Sequence, residues 1–246
     1  MRNIKLTVSY DGAGYHGWQR QENALSVQEV LERAIARCTN EKVNLIGCGR
    51  TDTGVHAKAY ICNFHTESKI PAERFVYAIN AGLPDDIVCL ASEEMPEEFH
   101  AKYSAKKKRY TYYIQNSEFP DVFLQKRAWH IPQKLDVSAM QRATEAFVGT
   151  HDFVGFASTG FSVKTTVRTI ESLTVTKENN RIIIDVVGNG FLYNMVRIIT
   201  GTLFFVGVGK LRAEDMKEII ASCDRTRAGI TAPPDGLFLT EVYYEA

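Results

Sequence analysis

The sequence predicts an α+β fold: two ferredoxin-like, RRM-like halves sharing a mostly antiparallel central sheet, with helices packed against it. Three observations carry this reading. Residues 4–91 switch between period-two and helical apolar patterns in the order strand, helix, strand, strand, helix, strand. Residues 107–244 follow a similar order with longer elements, as an elaborated copy. Between the two, Glu93, Glu94, Glu97 and Glu98 give way to Lys102, Lys106, Lys107, Lys108 and Arg109 with no acid among them. That charge switch sets the boundary near residue 100, so the halves are 1–100 and 101–246. The element order is the split βαβ arrangement, which RNA-recognition modules also use.

The elements follow from local signals. Ile4, Leu6, Val8 and Tyr10 alternate with polar residues, giving a strand with one buried face. Gly12, Gly14 and Gly17 match G-x-G-x-x-G, but polar residues 19–23 intervene before the next helix, against a dinucleotide site. A loop carrying Tyr15, His16 and Trp18 is expected instead. Ser26-Val27-Gln28-Glu29 is a capping box, followed by Val30, Leu31, Ala34, Ile35 and Cys38 at helical spacing. Strands are expected at 43–48 and 60–64. Pro71 suits the first turn of a second helix with Phe75, Ala78 and Ile79 inward, and Gly82 its C-terminal cap. A fourth strand is expected at 87–91.

In the second half, a strand over 107–115 puts Tyr110, Tyr112 and Ile114 on one face. Asp136 can cap a helix bearing Met140, Ala143 and Phe147, with Gly149 at its end and a loop opening at His151. Strands at 166–177 and 181–187 flank a turn at 178–180. The apolar run 191–206, interrupted by Arg197, reads as a buried helix. A short helix near 213–222 and a strand at 237–244 complete the half.

Bulk properties exclude several classes. A chain of 246 residues buries roughly 70–75% of its unfolded surface, so it needs no disulfide or metal staple. No apolar run reaches membrane-span length, and Met1 to Lys5 enter a strand pattern directly, so neither a membrane segment nor a signal peptide is expected. The five cysteines are odd in number, widely spaced and without C-x-x-C, as expected of reduced core thiols in a cytoplasmic protein. The six histidines show no metal-ligand spacing. A formal net charge of zero argues against a globally basic nucleic-acid binder. The local basic run is either a solvated face or a stripe suited to a polyanion that docks on one side.

The chemistry concentrates in Gly47-Cys48-Gly49-Arg50-Thr51-Asp52-Thr53-Gly54-Val55-His56-Ala57, a loop between two strands. Its glycines permit positive φ or close backbone approach, and its one acid lies two residues from an arginine. Arg197, in an apolar helix, needs a counter-charge, for which Asp52 is the best candidate; the alternative is that its long stem reaches the surface. A carboxylate paired with arginine stays ionised at neutral pH and suits nucleophilic attack. A retaining glycoside hydrolase would need a second carboxylate about 5–5.5 Å away, and no paired-acid motif is visible. A non-catalytic RNA-binding protein on the same scaffold is the other alternative.

Gly49 to Ala57 resembles the active-site motif of the TruA family of tRNA pseudouridine synthases. The resemblance extends over nearly the whole chain: Tyr10-Asp11-Gly12 through Gly17-Trp18-Gln19-Arg20-Gln21, Phe99-His100-Ala101-Lys102-Tyr103-Ser104-Ala105 with Lys108-Arg109-Tyr110, Gly188 to Arg197, and Ala232-Pro233-Pro234-Asp235-Gly236-Leu237. Lys102 and Tyr103 stand where Arg and Phe are commoner. The resemblance implies the pseudouridine synthase fold, Asp52 as nucleophile, Arg197 as its partner, and Arg50 as a residue that helps flip the nucleotide. It implies that Tyr110 packs on the base, with help in removing the C5 proton as its other role, and it suits Leu237 to the uracil pocket. It implies isomerisation of uridine at nucleotides 38, 39 and 40 of the tRNA anticodon arm, with no cofactor and no metal. Attack at C1′ of the sugar, attack at C6 of the base and abstraction of the 2′ proton remain open. The implied assembly is a homodimer with one tRNA touching both subunits. Lys102, Lys106, Lys107 and Arg109 of the basic stripe would then serve substrate binding.

Overall fold

The computed structural model describes residues 1–160 and 163–244. Chain contacts divide it into two units, Met1–Lys106 with Phe238–Ala246, and Lys107–Leu237. The division differs from a cut at residue 100 in one respect that sequence patterns do not carry: the final strand belongs with the first unit, because it pairs there.

In the first unit, β1 (Arg2–Tyr10) is central. The other elements are α1 (Val27–Thr39), β2 (Ile46–Gly47), β3 (His56–Thr66), α2 (Phe75–Asn80) and β4 (Ile87–Met95). β1 lies antiparallel between β3, with Ile4 opposite Phe64 and Leu6 opposite Cys62, and β4. The far edge of β3 receives β2 near one end and, in parallel, the C-terminal strand near the other, with Phe238 opposite His56. Ile4, Leu6 and Val8 pack with Leu31, Ile35, Phe64, Phe75 and Ile79 in a core from which water is excluded. Phe64 meets Phe75 edge to face, ring centres 5.6 Å apart.

The expected cap of α1 is present, with Ser26 Oγ accepting from the Glu29 amide at 3.3 Å. Two expectations fail. The second strand is two residues long because helix side chains capture the backbone just before it. Gln28 Nε2 donates to the Leu45 carbonyl and Glu32 Oε1 accepts from the Leu45 amide. Gly82 does not cap α2 in the left-handed region; the chain leaves through Ala81 at φ −61°, with the Gly82 amide bonded to the Ile79 carbonyl.

The second unit contains β5 (Lys107–Gln115), β6 (Trp129–His130), α3 (Val137–Thr144), β7 (Gly149–Asp152), β8 (Val167–Glu178), β9 (Arg181–Gly188), α4 (Met195–Gly207) and α5 (Met216–Ala221). The last strand, β10 (Leu237–Tyr243), starts at its final residue. Neighbours run β5-β9-β8-β7, all antiparallel, with β6 parallel to the end of β5. Tyr110, Tyr112 and Ile114 are buried, as their alternation predicts. Asp136 caps α3 through the Ala139 amide at 2.9 Å.

Two further corrections concern this unit. The loop expected from His151 is the edge strand β7, whose Thr150 and His151 pair with Thr169 and Arg168. The apolar helix expected from Phe191 begins only at Met195, because Asn194 takes a left-handed conformation at φ 61°.

Candidate active site

Asp52 sits half-buried in the loop between β2 and β3, and Arg50 is exposed beside it. The loop is tied down along most of its length. Its Thr51 carbonyl accepts from the Trp18 amide at 3.1 Å, and the Gly54 amide donates to the Tyr15 carbonyl at 3.3 Å. A turn closes over the acid, Val55 amide to Asp52 carbonyl at 3.1 Å, with Gly54 at φ 79°. Two buried phenols hold the preceding turn: Tyr10 Oη shares a hydrogen with Thr51 Oγ1 at 2.8 Å, and Tyr60 Oη donates to the Gly49 carbonyl. Trp18 stacks on Tyr60 with ring centres 3.8 Å apart. Burial pushes the Tyr60 phenol far above its ordinary range, so it remains a neutral donor. The aromatics of the N-terminal loop thus support the Asp52 loop as core; His16 is the exposed exception.

His56, at the start of β3, is buried with Nδ1 3.0 Å from both the Gly12 amide and an Asp11 carboxyl oxygen. Its ring stacks on Phe238 at 4.5 Å. The histidine of the motif is therefore a packing and anchoring residue that joins the N-terminal loop to the last strand.

In the second unit a strap, residues 228–237, crosses α4 at Gly201, where Ile230 approaches, and then passes Arg197. Arg197 Nε donates to the Ala232 carbonyl at 2.7 Å, the Ala232 amide returns a bond to the Arg197 carbonyl at 3.1 Å, and Nη1 donates to Asn194 Oδ1 at 2.7 Å. Tyr112 Oη donates to the Pro233 carbonyl at 2.7 Å. Burial raises the Tyr112 phenol well above its usual range, against the opposing pull of Arg197, and keeps that donor protonated. Tyr110, two residues along the same face of β5, meets Phe191 edge to face at 5.2 Å. Leu237 is buried at the end of the same strap. Tyr110, Arg197 and Leu237 therefore belong to one unit and Asp52 and Arg50 to the other.

The structure resolves the basic stripe into different residues. Lys102 is exposed beside Tyr103, in a loop pinned by Asn63 Oδ1 on the Ala101 amide and Asn3 Nδ2 on the Phe99 carbonyl. Lys106 is exposed as well. Lys107 and Arg109 point from β5 to acids on β8 and β9: Lys107 to Glu171 at 2.8 Å, and Arg109 to both oxygens of Asp185 at 2.8 and 3.0 Å. Thr111 also donates to Asp185. The register of β5 against β9 sets the Arg109 pair, and the charge run alone carried no trace of it.

Sequence reasoning passed over Tyr112, Asn194 and the Ala232 carbonyl as site elements. A surface hollow of about 580 Å³ in the second unit, lined by Gln115, Pro120, Asp121, Leu124, Asn179 and Arg181 among others, includes none of the candidate residues. Among the described residues, no group of three or more His, Cys, Asp or Glu could hold a metal ion, and no helix is long and apolar enough to cross a membrane.

Comparison with known sequences gives consistent matches. The family described as tRNA pseudouridine synthase matches residues 6–104 and 143–245. Among curated relatives, tRNA pseudouridine synthase A of Acetivibrio thermocellus is 55% identical over 244 residues, covering 99% of this chain and 100% of the relative. The protein of that name from Ruminiclostridium cellulolyticum is 54% identical over 245 residues, and one from a Thermoanaerobacter species is 51% identical over 244. Both alignments span 99% of this chain and 100% of the relative.

Proposed function

Because the chain belongs to the tRNA pseudouridine synthase family and so isomerises uridine to pseudouridine in tRNA, we propose that it acts at nucleotides 38, 39 and 40 of the anticodon arm with Asp52 as nucleophile. The observation that carries the assignment is the loop itself. A half-buried carboxylate stands on backbone bonded on either side, at Thr51 and at Gly54 and Val55. An aspartate has two side-chain torsions, so a fixed backbone largely fixes its carboxylate, as a near-attack geometry requires.

The reaction breaks the N1–C1′ bond, turns the uracil and joins C5 to C1′; the C5 proton is lost and N1 regains one, so atoms and electrons balance within the substrate. Attack at C1′, attack at C6 and removal of the 2′ proton all need an ionised carboxylate. Arg197 is assigned as the cation that keeps Asp52 ionised, by favouring the charged form. Tyr110 packs on the extruded base. A phenol of ordinary pKa, about 10, is a weak base at neutral pH, so packing is the role we assign to Tyr110. Arg50, exposed on the same loop as Asp52, assists flipping, for which unstacking costs a few kcal/mol. Leu237 completes an apolar wall for the uracil. Lys102 and Lys106 supply phosphate contacts, and recognition is mainly of shape and backbone. A homodimer doubles this modest basic surface on a chain of zero net charge, and a tRNA substrate puts the enzyme in the cytoplasm.

The test is Asp52→Asn on transcribed tRNA, with position-resolved mapping of pseudouridine. Loss of product at nucleotides 38–40 with the fold retained is expected. Continued turnover would remove Asp52 from the mechanism, and product at other nucleotides from the wild type would overturn the assigned target. Sedimentation of the purified protein reads the subunit number directly.

A further inference from the structure

We propose that Asn194 is a positioning residue for Arg197, and that its being an uncharged amide is what leaves the guanidinium's charge available to the reaction. The inference rests on Arg197 being the cation of the site, and goes beyond it in naming what aims that cation.

Asn194 occupies the position before the first residue of α4, where an asparagine ordinarily bonds the exposed amides of the first turn. It makes no such cap. It also takes φ 61°, a left-handed conformation uncommon outside glycine. Both departures from local preference serve one arrangement. The side-chain oxygen accepts from Arg197 Nη1 at 2.7 Å, and the side-chain nitrogen donates to Ser158 Oγ at 2.8 Å. The assignment of oxygen and nitrogen is forced, because a guanidinium can only donate. Ser158 is held in turn by its amide on the Tyr193 carbonyl at 3.1 Å. With the Ala232 carbonyl on Nε, the guanidinium has acceptors on two of its nitrogens, and its plane is set.

These two acceptors are neutral, and this is the chemical point. A carboxylate at residue 194 would make the same hydrogen bond but would also neutralise the arginine, and so compete with any other carboxylate for it. An amide orients without neutralising. A residue kept merely for the fold would tolerate glycine here, since glycine is comfortable at positive φ and preserves the backbone.

Asn194→Gly and Asn194→Asp therefore separate the roles, measured as single-turnover rate against pH, with melting temperature and tRNA affinity alongside. Asn194→Gly is expected to lower the rate roughly 10- to 100-fold through misplacement of the guanidinium, with tRNA affinity within about twofold and the pH profile unshifted. Asn194→Asp is expected to move the acid limb of the profile to higher pH, because a second carboxylate would share the guanidinium that the proposed mechanism gives to the nucleophile. Ser158→Ala should give a smaller loss of the same kind. Wild-type rate and profile in both Asn194 variants would overturn the inference. Arg197→Gln separates this from failure of the underlying assignment: if it is also active, the arginine was misassigned; if inactive while both Asn194 variants are normal, the positioning role alone falls. Should Asn194→Asp melt early, Asn194→Gly and Ser158→Ala still decide the outcome.

Discussion

The loop that carries Asp52 and the helix that carries Arg197 are both built around a gap too narrow for a side chain, yet different bonds lock them. At Gly12 an added Cβ would lie 2.0 Å from the Val55 carbonyl oxygen, and at Gly201 it would lie 1.8 Å from that of Ile230. Around Asp52 the bonds are between main-chain groups, reinforced by buried phenols. Around Arg197 one main-chain bond, Ala232 amide to Arg197 carbonyl, is joined by several from side chains: its own Nε and Nη1, Arg225 Nη1 on the Gly229 carbonyl at 2.8 Å, and Thr202 Oγ1 on the Gly229 amide at 2.8 Å. The difference follows the length of the side chain being placed. A short acid inherits its position from its backbone. A long arginine has more rotamer entropy to lose and must be gripped near its tip.

That contrast can be broken at several points. Trp18→Ala removes a fully buried ring from beneath the Asp52 loop and should cost about 3–5 kcal/mol of stability, read by denaturant titration, with pseudouridine formation lost in parallel. Gly12→Ala and Gly201→Ala each force backbone apart and should cost about 1–3 kcal/mol or more. The first should lower activity in step with stability. The second should lower activity beyond its effect on stability, because the displaced strap includes the Ala232 carbonyl. Equal ratios of rate loss to stability loss in the two variants would erase the distinction.

Tyr112→Phe tests the side-chain grip more gently. It deletes the bond to the Pro233 carbonyl and should cost about 0.5–1.5 kcal/mol, visible as a lower melting temperature and a modestly slower single-turnover rate. Smallest of all is the contrast within the basic stripe. Lys102→Ala should reduce the slope of log affinity for tRNA against log salt by about one. Arg109→Ala should leave that slope nearly unchanged, since its charge is already matched by Asp185. Equal slopes for both variants would return Arg109 to the substrate-binding surface.

Much of this architecture is legible residue by residue, and the limits are informative. The cap at Ser26, the cap at Asp136 and the bounds of β5 are signals between residues a few positions apart, and they appear as read. The candidate residues were legible as motifs, but the partners that orient them were not. Asn194 falls inside the apolar run 191–206 that reads as one helix, and only its left-handed conformation and its bonds to Ser158 and Arg197 show otherwise.

Sequence alone therefore determined most of the order of the elements, the mixed α and β character of each half and the family that the chain resembles. The first two rest on periodicity and capping, set by near neighbours along the chain, and the family rests on the resemblance of its motifs. Tertiary structure decided where β2 begins against α1, that residues 149–152 form an edge strand, that the last strand joins the first unit and that Arg109 answers Asp185. Each of these is a bond between residues more than ten positions apart, and which of many such pairs forms depends on the packing of the whole unit.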